Sequence, residues 1–307
     1  MTEPTVVAVQ ASVDGSPHRG AVLADVAGQP ALGLVLRRLT PLPALTGAEV
    51  VVVTSDAATD DPVAALAEEH GVRAVRGPVD DPLQGLAIAL VRLAAETMVL
   101  VPGDGPFADP YVVQSALDVH RTSEADHTSN LLPRSYPRGL EVEVFAKRVL
   151  GACELEIADP GQRRAPGAYA RLHPERFRLA NLQSGHDLAG ERWTIDSTAD
   201  LARVREVAGQ VPDLGTASWN RILAVVGRAS KPRPGMVVLR PERASDAGAD
   251  PWIQRWAVVI DGEAKGTATA TTSGGHVRHH VEVPEPWLEP ARAALYQALH
   301  GDADPRR

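Results

Sequence analysis

Between Thr5 and Arg121, short β-branched runs alternate with stretches of helical apolar periodicity, and this alternation constrains the fold more than any other feature of the chain. TVVAVQ (Thr5–Gln10), EVVVVT (49–54), VRAV (72–75) and TMVLV (97–101) read as strands. Residues 30–39, 61–70, 81–96 and 111–121 read as helices, with Pro30 and Pro62 suited to first turns and Gly71 just past an end. Nearly unbroken apolar strands fit a sheet covered on both faces. Right-handed βαβ crossovers supply that cover, so the expected class is α/β, three-layered, with a mostly parallel central sheet.

The pattern changes after Asp126. GLEVEVF (139–145) alternates, with Leu140, Val142 and Val144 on one face, which predicts an antiparallel or edge strand with one wet side. RFRLANL (176–182) is similar. Residues 198–209 form a helix capped by Ser197 or Thr198, and 219–228 read as the last helix of the unit. ASKPRPG (229–235) holds two prolines and a glycine and reads as a linker. The expected division is therefore 1–230 for the large domain and 235–307 for a small α+β module. In that module, strands at 256–260, 266–272 and 277–283 join through Asp261-Gly262 and Gly274-Gly275 turns, and a helix at 290–299 closes it. His276, His279 and His280 split between the two faces of the last strand, which suits a solvated strand better than a metal site.

Composition removes several function classes. The 307 residues carry 31 Lys+Arg against 39 Asp+Glu, a formal net charge of −8. Such a chain does not advertise binding to nucleic acid or an anionic membrane. Cys153 is the one cysteine, so no internal disulfide and no cysteine-rich zinc site can form. The first apolar run is too short for a signal peptide or a membrane span, and a cytoplasmic location is expected.

Two aspartates stand where strands hand over to helices. Asp104, between Gly103 and Gly105, follows TMVLV; Asp196 follows RWTI and precedes the 198–209 helix. Open α/β sheets bind ligands at the carboxyl ends of their strands. Both aspartates also suit helix capping. If they converge, they suit Mg²⁺, which takes one or two carboxylates and keeps its remaining sites for water and substrate phosphates. No Walker A lysine motif and no GxGxxG opening a helix occurs, which argues against P-loop and standard dinucleotide enzymes.

Several stretches resemble one family in order. They are Thr54-Ser55-Asp56 with Asp60-Asp61-Pro62, Arg76-Gly77 with Asp80-Asp81, and Pro102-Gly103-Asp104-Gly105-Pro106 with Asp109-Pro110. Ser129-Asn130, then YPRGLEVEVF from Tyr136 to Phe145, is the most specific; Pro174–Arg178 and Arg192-Trp193-Thr194-Ile195-Asp196 follow. Over residues 5–210 the chain resembles the cytidylyltransferases that include the SpsF-like spore-coat polysaccharide proteins and the CMP-acylneuraminate and CMP-Kdo synthetases. The resemblance implies a GT-A-like nucleotide-diphospho-sugar transferase fold. It also implies transfer of CMP from CTP to a sugar acid for a surface polysaccharide, with Mg²⁺ held by Asp104 and Asp196. By the same resemblance Gln10, Ala11, Ser12, Ser55, Asp81 and Gly103 would contact the nucleotide. Asn130, Arg138 and Glu141 would contact the acceptor, and residues 128–145 would form the arm of a homodimer.

The first loop departs from that pattern. The family reads close to QARMGSTRLPGK, and this chain reads Gln10-Ala11-Ser12-Val13-Asp14-Gly15-Ser16-Pro17-His18-Arg19-Gly20-Ala21. Without gaps, Ser12 and Pro17 replace arginines, Ala21 replaces a lysine, and Asp14 adds a negative charge. His18 and Arg19 are the catalytic candidates left to face the phosphates. Gly85 stands where relatives carry an arginine, and Arg163-Arg164-Ala165-Pro166 where they often carry Glu-His before Thr-Pro. Two expectations follow: a cytidylyltransferase, active with CTP or another nucleotide; or a silent homologue that binds nucleotide or a partner without turnover.

Overall fold

The computed structural model describes residues 3–185, 187–225, 237–241, 253–260, 263–273 and 276–282. Seven strands form the central sheet: β1 (Thr5–Gln10), β2 (Glu49–Ser55), β3 (Arg73–Gly77), β4 (Thr97–Pro102), β5 (His127–Ser129), β6 (Glu143–Ala146) and β7 (Leu179–Asn181). Their spatial order is β3-β2-β1-β4-β6-β5-β7. The first four run parallel, β6 is antiparallel to both β4 and β5, and β7 is parallel to β5. The sheet is α/β and mostly parallel, as the alternation predicts.

Side-chain parity explains the three layers. Val7, Val9, Val52, Val99 and Val101 point to one core with α1 (Ala31–Leu39), α4 (Pro110–Thr122) and α7 (Thr198–Gln210). Val6, Ala8, Val51, Val53, Met98 and Leu100 point to the other, with α3 (Pro82–Arg92) and α5 (Lys147–Glu156). β1, β2 and β4 are buried on both faces because each parity class meets helices. Three further helices of seven residues or more are α2 (Asp61–Glu69), α6 (Pro166–Leu172) and α8 (Trp219–Val225), with short helical turns at Leu42–Thr46 and Pro160–Arg163. Among the described residues, none is long and apolar enough to cross a membrane.

The 139–145 segment corrects one expectation. Only Glu143–Ala146 is strand, and it lies inside the sheet between β4 and β5, not at an edge. Leu140, Val142 and Val144 are buried as expected. The polar positions between them, Glu141 and Glu143, face a cavity and arginines rather than open water. Arg176–Asn181 shortens for a related reason: Arg176 and Phe177 close a turn on the His173 carbonyl, and only Leu179–Asn181 pairs.

Four further strands, β8 (Val237–Pro241), β9 (Ile253–Ile260), β10 (Glu263–Ser273) and β11 (His276–Glu282), form their own antiparallel sheet in sequence order. The linker at 229–235, the two glycine turns and the 290–299 helix lie outside the described residues.

Gly105 and Gly139 let the β4 extension cross the YPRGLE segment. Gly139 has φ +102°, and a Cβ there would lie 2.5 Å from the Trp193 carbonyl carbon. Gly139→Ala is therefore expected to lower stability by about 2 kcal/mol or more, combining left-handed strain with overpacking. Gly190→Ala, with open space around it, is the control in the same thermal melts.

Candidate nucleotide site

β1 is followed in space by β2 on one side and β4 on the other, so the strand order reverses between β1 and β4. The loops that leave their carboxyl ends part at such a point and leave a crevice. A cavity of about 420 Å³ lies there, lined by Gln10–Ser12, Asp14–Ser16, Val53–Ser55, Gly77–Asp80, Asp104, Glu141, Glu143 and residues 164–166, among others.

The crevice floor is a close backbone contact. Gly103 N–H donates to the Gln10 carbonyl at 2.8 Å, and Ala11 N–H to Val53 at 3.0 Å. A Cβ at Gly103 would meet Ala11 Cβ at 2.8 Å. Gly103 thus holds two strand extensions together, and Gln10 and Ala11 line the cavity.

Asp60, just ahead of α2, orders the first loop. Its buried carboxylate accepts from Val13 N–H at 2.7 Å, from Ser55 N–H at 3.3 Å and from the hydroxyls of Ser55 and Ser12. Burial alone would raise its pKa, but these donors hold it below the ordinary carboxylate range. Ser12 and Ser55 reach the cavity wall through this clamp. Thr54 is 5% exposed, and its Oγ1 has no hydrogen-bond partner among the described residues. A buried orphan hydroxyl beside a cavity is a waiting contact for a ligand.

Asp104 and Asp196 come to the same end of the sheet. Ile195 N–H donates to the Asp104 carbonyl at 3.1 Å, and Ser16 Oγ donates to the Ile195 carbonyl at 3.2 Å. The Asp104 carboxyl is raised above its ordinary pKa, first by burial and then by repulsion from Asp196 and Glu141; the Ser16 hydroxyl partly offsets this. Asp196 pairs with Arg192 at 2.9 Å. Among the described residues no three His, Cys, Asp or Glu side chains converge as a metal cage. Two carboxylates with strained mutual charge fit a cation that takes its other ligands from water and phosphate.

Other expected site residues have different positions. Arg19 is exposed and bonded to Asp14 at 2.5 Å, and neither it nor His18 lines the cavity. Asp81 caps α3 through Gln84 N–H and pairs with Arg163 at 2.6 Å, while its neighbour Asp80 lines the cavity. Asn130 is fully buried; its Nδ2 donates to the Leu140 carbonyl at 2.6 Å and its Oδ1 accepts from Val142 N–H at 3.0 Å. With both ends of the amide committed to the main chain, Asn130 shapes the wall and has little left for an acceptor. Arg138 is exposed, and its backbone bridges to residues 191–193. Glu141 does line the cavity, held by Arg134 at 2.6 Å and Gly139 N–H at 2.6 Å.

A group the sequence did not single out lies on the same wall. Glu143 Oε2 accepts from Arg171 at 2.7 Å and from His127 Nε2 at 3.0 Å. Burial alone would raise the Glu143 pKa, yet these partners bring it to about 2. Burial also lowers His127, so the pair is an ionised carboxylate and a neutral imidazole donating Nε2–H.

Residues 22–172 match the MobA-like NTP transferase domain. Over 180 residues the chain is 24% identical to the spore coat polysaccharide biosynthesis protein SpsF of Bacillus subtilis (strain 168), covering 57% of this chain and 74% of that one. A cytidylyltransferase from Leptospira borgpetersenii serovar Hardjo-bovis (strain JB197) superposes with a TM-score of 0.69 at 21% identity, over 74% of this chain and 95% of its own. A CMP:2-keto-3-deoxy-manno-octonic acid synthetase complexed with CTP gives 0.51 at 18% identity, over 67% and 99%. The fold is that of the nucleotide-diphospho-sugar transferases.

Proposed function

We propose that this chain, which is similar in sequence to SpsF and in fold to a cytidylyltransferase, binds CTP in the crevice between β1 and β4 and transfers CMP to a sugar acid for a surface polysaccharide. The observation that carries this is the approach of Asp196 to Asp104, which lines a cavity built at the sheet's switch point. Asp104 and Asp196 would hold Mg²⁺, which when bound neutralises charge on the triphosphate. Thr54, Ser55 and Ser12 offer hydroxyls to the nucleoside, and the Gly103 contact keeps the floor low enough for it to enter. The acceptor hydroxyl displaces pyrophosphate from the α-phosphorus, so the protein's part is mostly positioning and charge neutralisation. The segment 128–145 would carry a homodimer contact through the loop that follows β5. Residues 235–307 would form a module of their own, and the protein would work in the cytoplasm.

A second reading has its own support. Arg19, the arginine of the first loop, is already neutralised by Asp14. A silent homologue that holds nucleotide without turnover is consistent with that pairing. Pyrophosphate release from CTP with Kdo or an acylneuraminate separates the two. The enzyme releases pyrophosphate with Mg²⁺ and loses it, by a hundredfold or more, in Asp104→Asn. The silent homologue binds CTP with no release in either protein. A chain that neither binds CTP nor releases pyrophosphate contradicts both.

A further inference from the structure

Among the described residues, the cavity wall carries five carboxylates and a single cation, Arg164. Three of those carboxylates have arginines of their own: Asp14 with Arg19 at 2.5 Å, Glu141 with Arg134 at 2.6 Å and Glu143 with Arg171 at 2.7 Å. Asp80 is exposed to water, and Asp104 lies by Asp196. Arg164 follows the short helical turn Pro160–Arg163 and is exposed, with no carboxylate in ion-pair reach among the described residues. The adjacent Arg163 is fully engaged, pairing with Asp81 and Glu154 at 2.6 and 2.8 Å. One arginine of the pair therefore ties the turn to α3 and α5, and the other is left facing the cavity.

The other charged groups of this wall are carboxylates, and the arginines that pair three of them stand outside the lining. The first loop contributes no cation to the wall. We infer that Arg164 is the anion-recognising residue of this cavity, receiving an oxyanion of its ligand: a nucleotide phosphate or the carboxylate of a polyhydroxy acid. A guanidinium accepts either bidentately, where a lysine offers only a point charge. The phosphate case rests on the cavity being a nucleotide site; the carboxylate case does not.

Titration calorimetry on the full chain tests this with two matched pairs, Mg-CTP against cytidine and D-glucuronate against D-glucose. Wild type, Arg164→Ala and Arg164→Lys are compared, with Arg121→Ala on α4 as a control for net charge. Because Arg164 is exposed and unpaired, its substitutions leave the fold intact, which circular dichroism checks. The wild-type preference for the anion of one pair is expected to fall about tenfold or more in Arg164→Ala and to be partly kept in Arg164→Lys. Loss confined to the CTP pair identifies phosphate, and loss confined to the glucuronate pair identifies carboxylate. An anion preference unchanged in Arg164→Ala, or absent in wild type, overturns the inference. Failure of the nucleotide reading appears separately, as wild type that binds glucuronate but neither CTP nor cytidine.

Discussion

Replacing Ser12 and Pro17 by arginine and Asp14 by glycine is expected to tighten Mg-CTP binding by about two powers of ten or more. Each new arginine–phosphate contact is a charge-assisted bond worth about 1.5–3 kcal/mol, and 1.4 kcal/mol is tenfold in affinity. Removing Asp14 also frees Arg19 from its 2.5 Å pair. Ser12 lines the cavity and Pro17 is exposed, so both positions accept a long side chain. The family lysine at position 21 is a different matter. Ala21 is fully buried in the core against α1, and a lysine there would be desolvated without a partner. The ungapped register therefore fails before Ala21, and Ala21→Lys is expected to unfold the loop rather than restore binding. Calorimetry of the triple variant against wild type reads the effect. An affinity unchanged within twofold would mean that the triphosphate does not lie against this loop.

The second large effect is on stability. Glu143→Gln is expected to cost about 3 kcal/mol at pH 7, because it leaves Arg171 without its charge partner beside a buried imidazole. Gly167 keeps the pair close to the α6 backbone, since any Cβ there would collide with Glu143 Oε2. The sign with pH follows from the depressed carboxyl. The unfolded glutamate titrates at about 4.3, and the folded one at about 2. The contribution is complete above the unfolded value and is lost as pH falls through the folded one. Urea unfolding at pH 7 and pH 3 should therefore show a gap between wild type and Glu143→Gln that narrows in acid. A gap that is constant or widens would place the stabilisation outside this ionised pair.

Much of the fold can be read from local periodicity. β1 falls on the residues TVVAVQ marks, and Ser197 caps its helix. Such features depend on neighbours within a turn, which a sequence displays. GLEVEVF is the instructive failure. Period two gives which residues share a face, and Leu140, Val142 and Val144 do share one, but it does not say what the other face meets. Here that face meets Arg134 from a loop, Arg171 from α6 and His127 from β5.

The site was less legible for the same reason. Asp81 looks like a ligand until Arg163, 82 residues on, is brought to it. Asn130 sits in the most specific stretch of the resemblance, yet it serves the backbone of residues 140 and 142. Asp60 and Ser16 shape the loop and the Asp104 end of the cavity by contacts of 47 and 179 residues' separation. Position within a motif identified the cavity's neighbourhood; which side chains remain free to face a ligand depends on partners far away in the chain.

The most direct measurement is calorimetric titration of wild type and Asp104→Asn with CTP, each with and without Mg²⁺. If the cavity is a nucleotide site with a cation held at Asp104, wild type binds Mg-CTP saturably at one site. Asp104→Asn then weakens Mg-CTP by about tenfold but tightens metal-free CTP, since a carboxylate facing phosphate has been removed. No saturable binding by wild type, or a shift in the same direction with and without Mg²⁺, would contradict the assignment of this cavity to a metal-dependent nucleotidyltransferase.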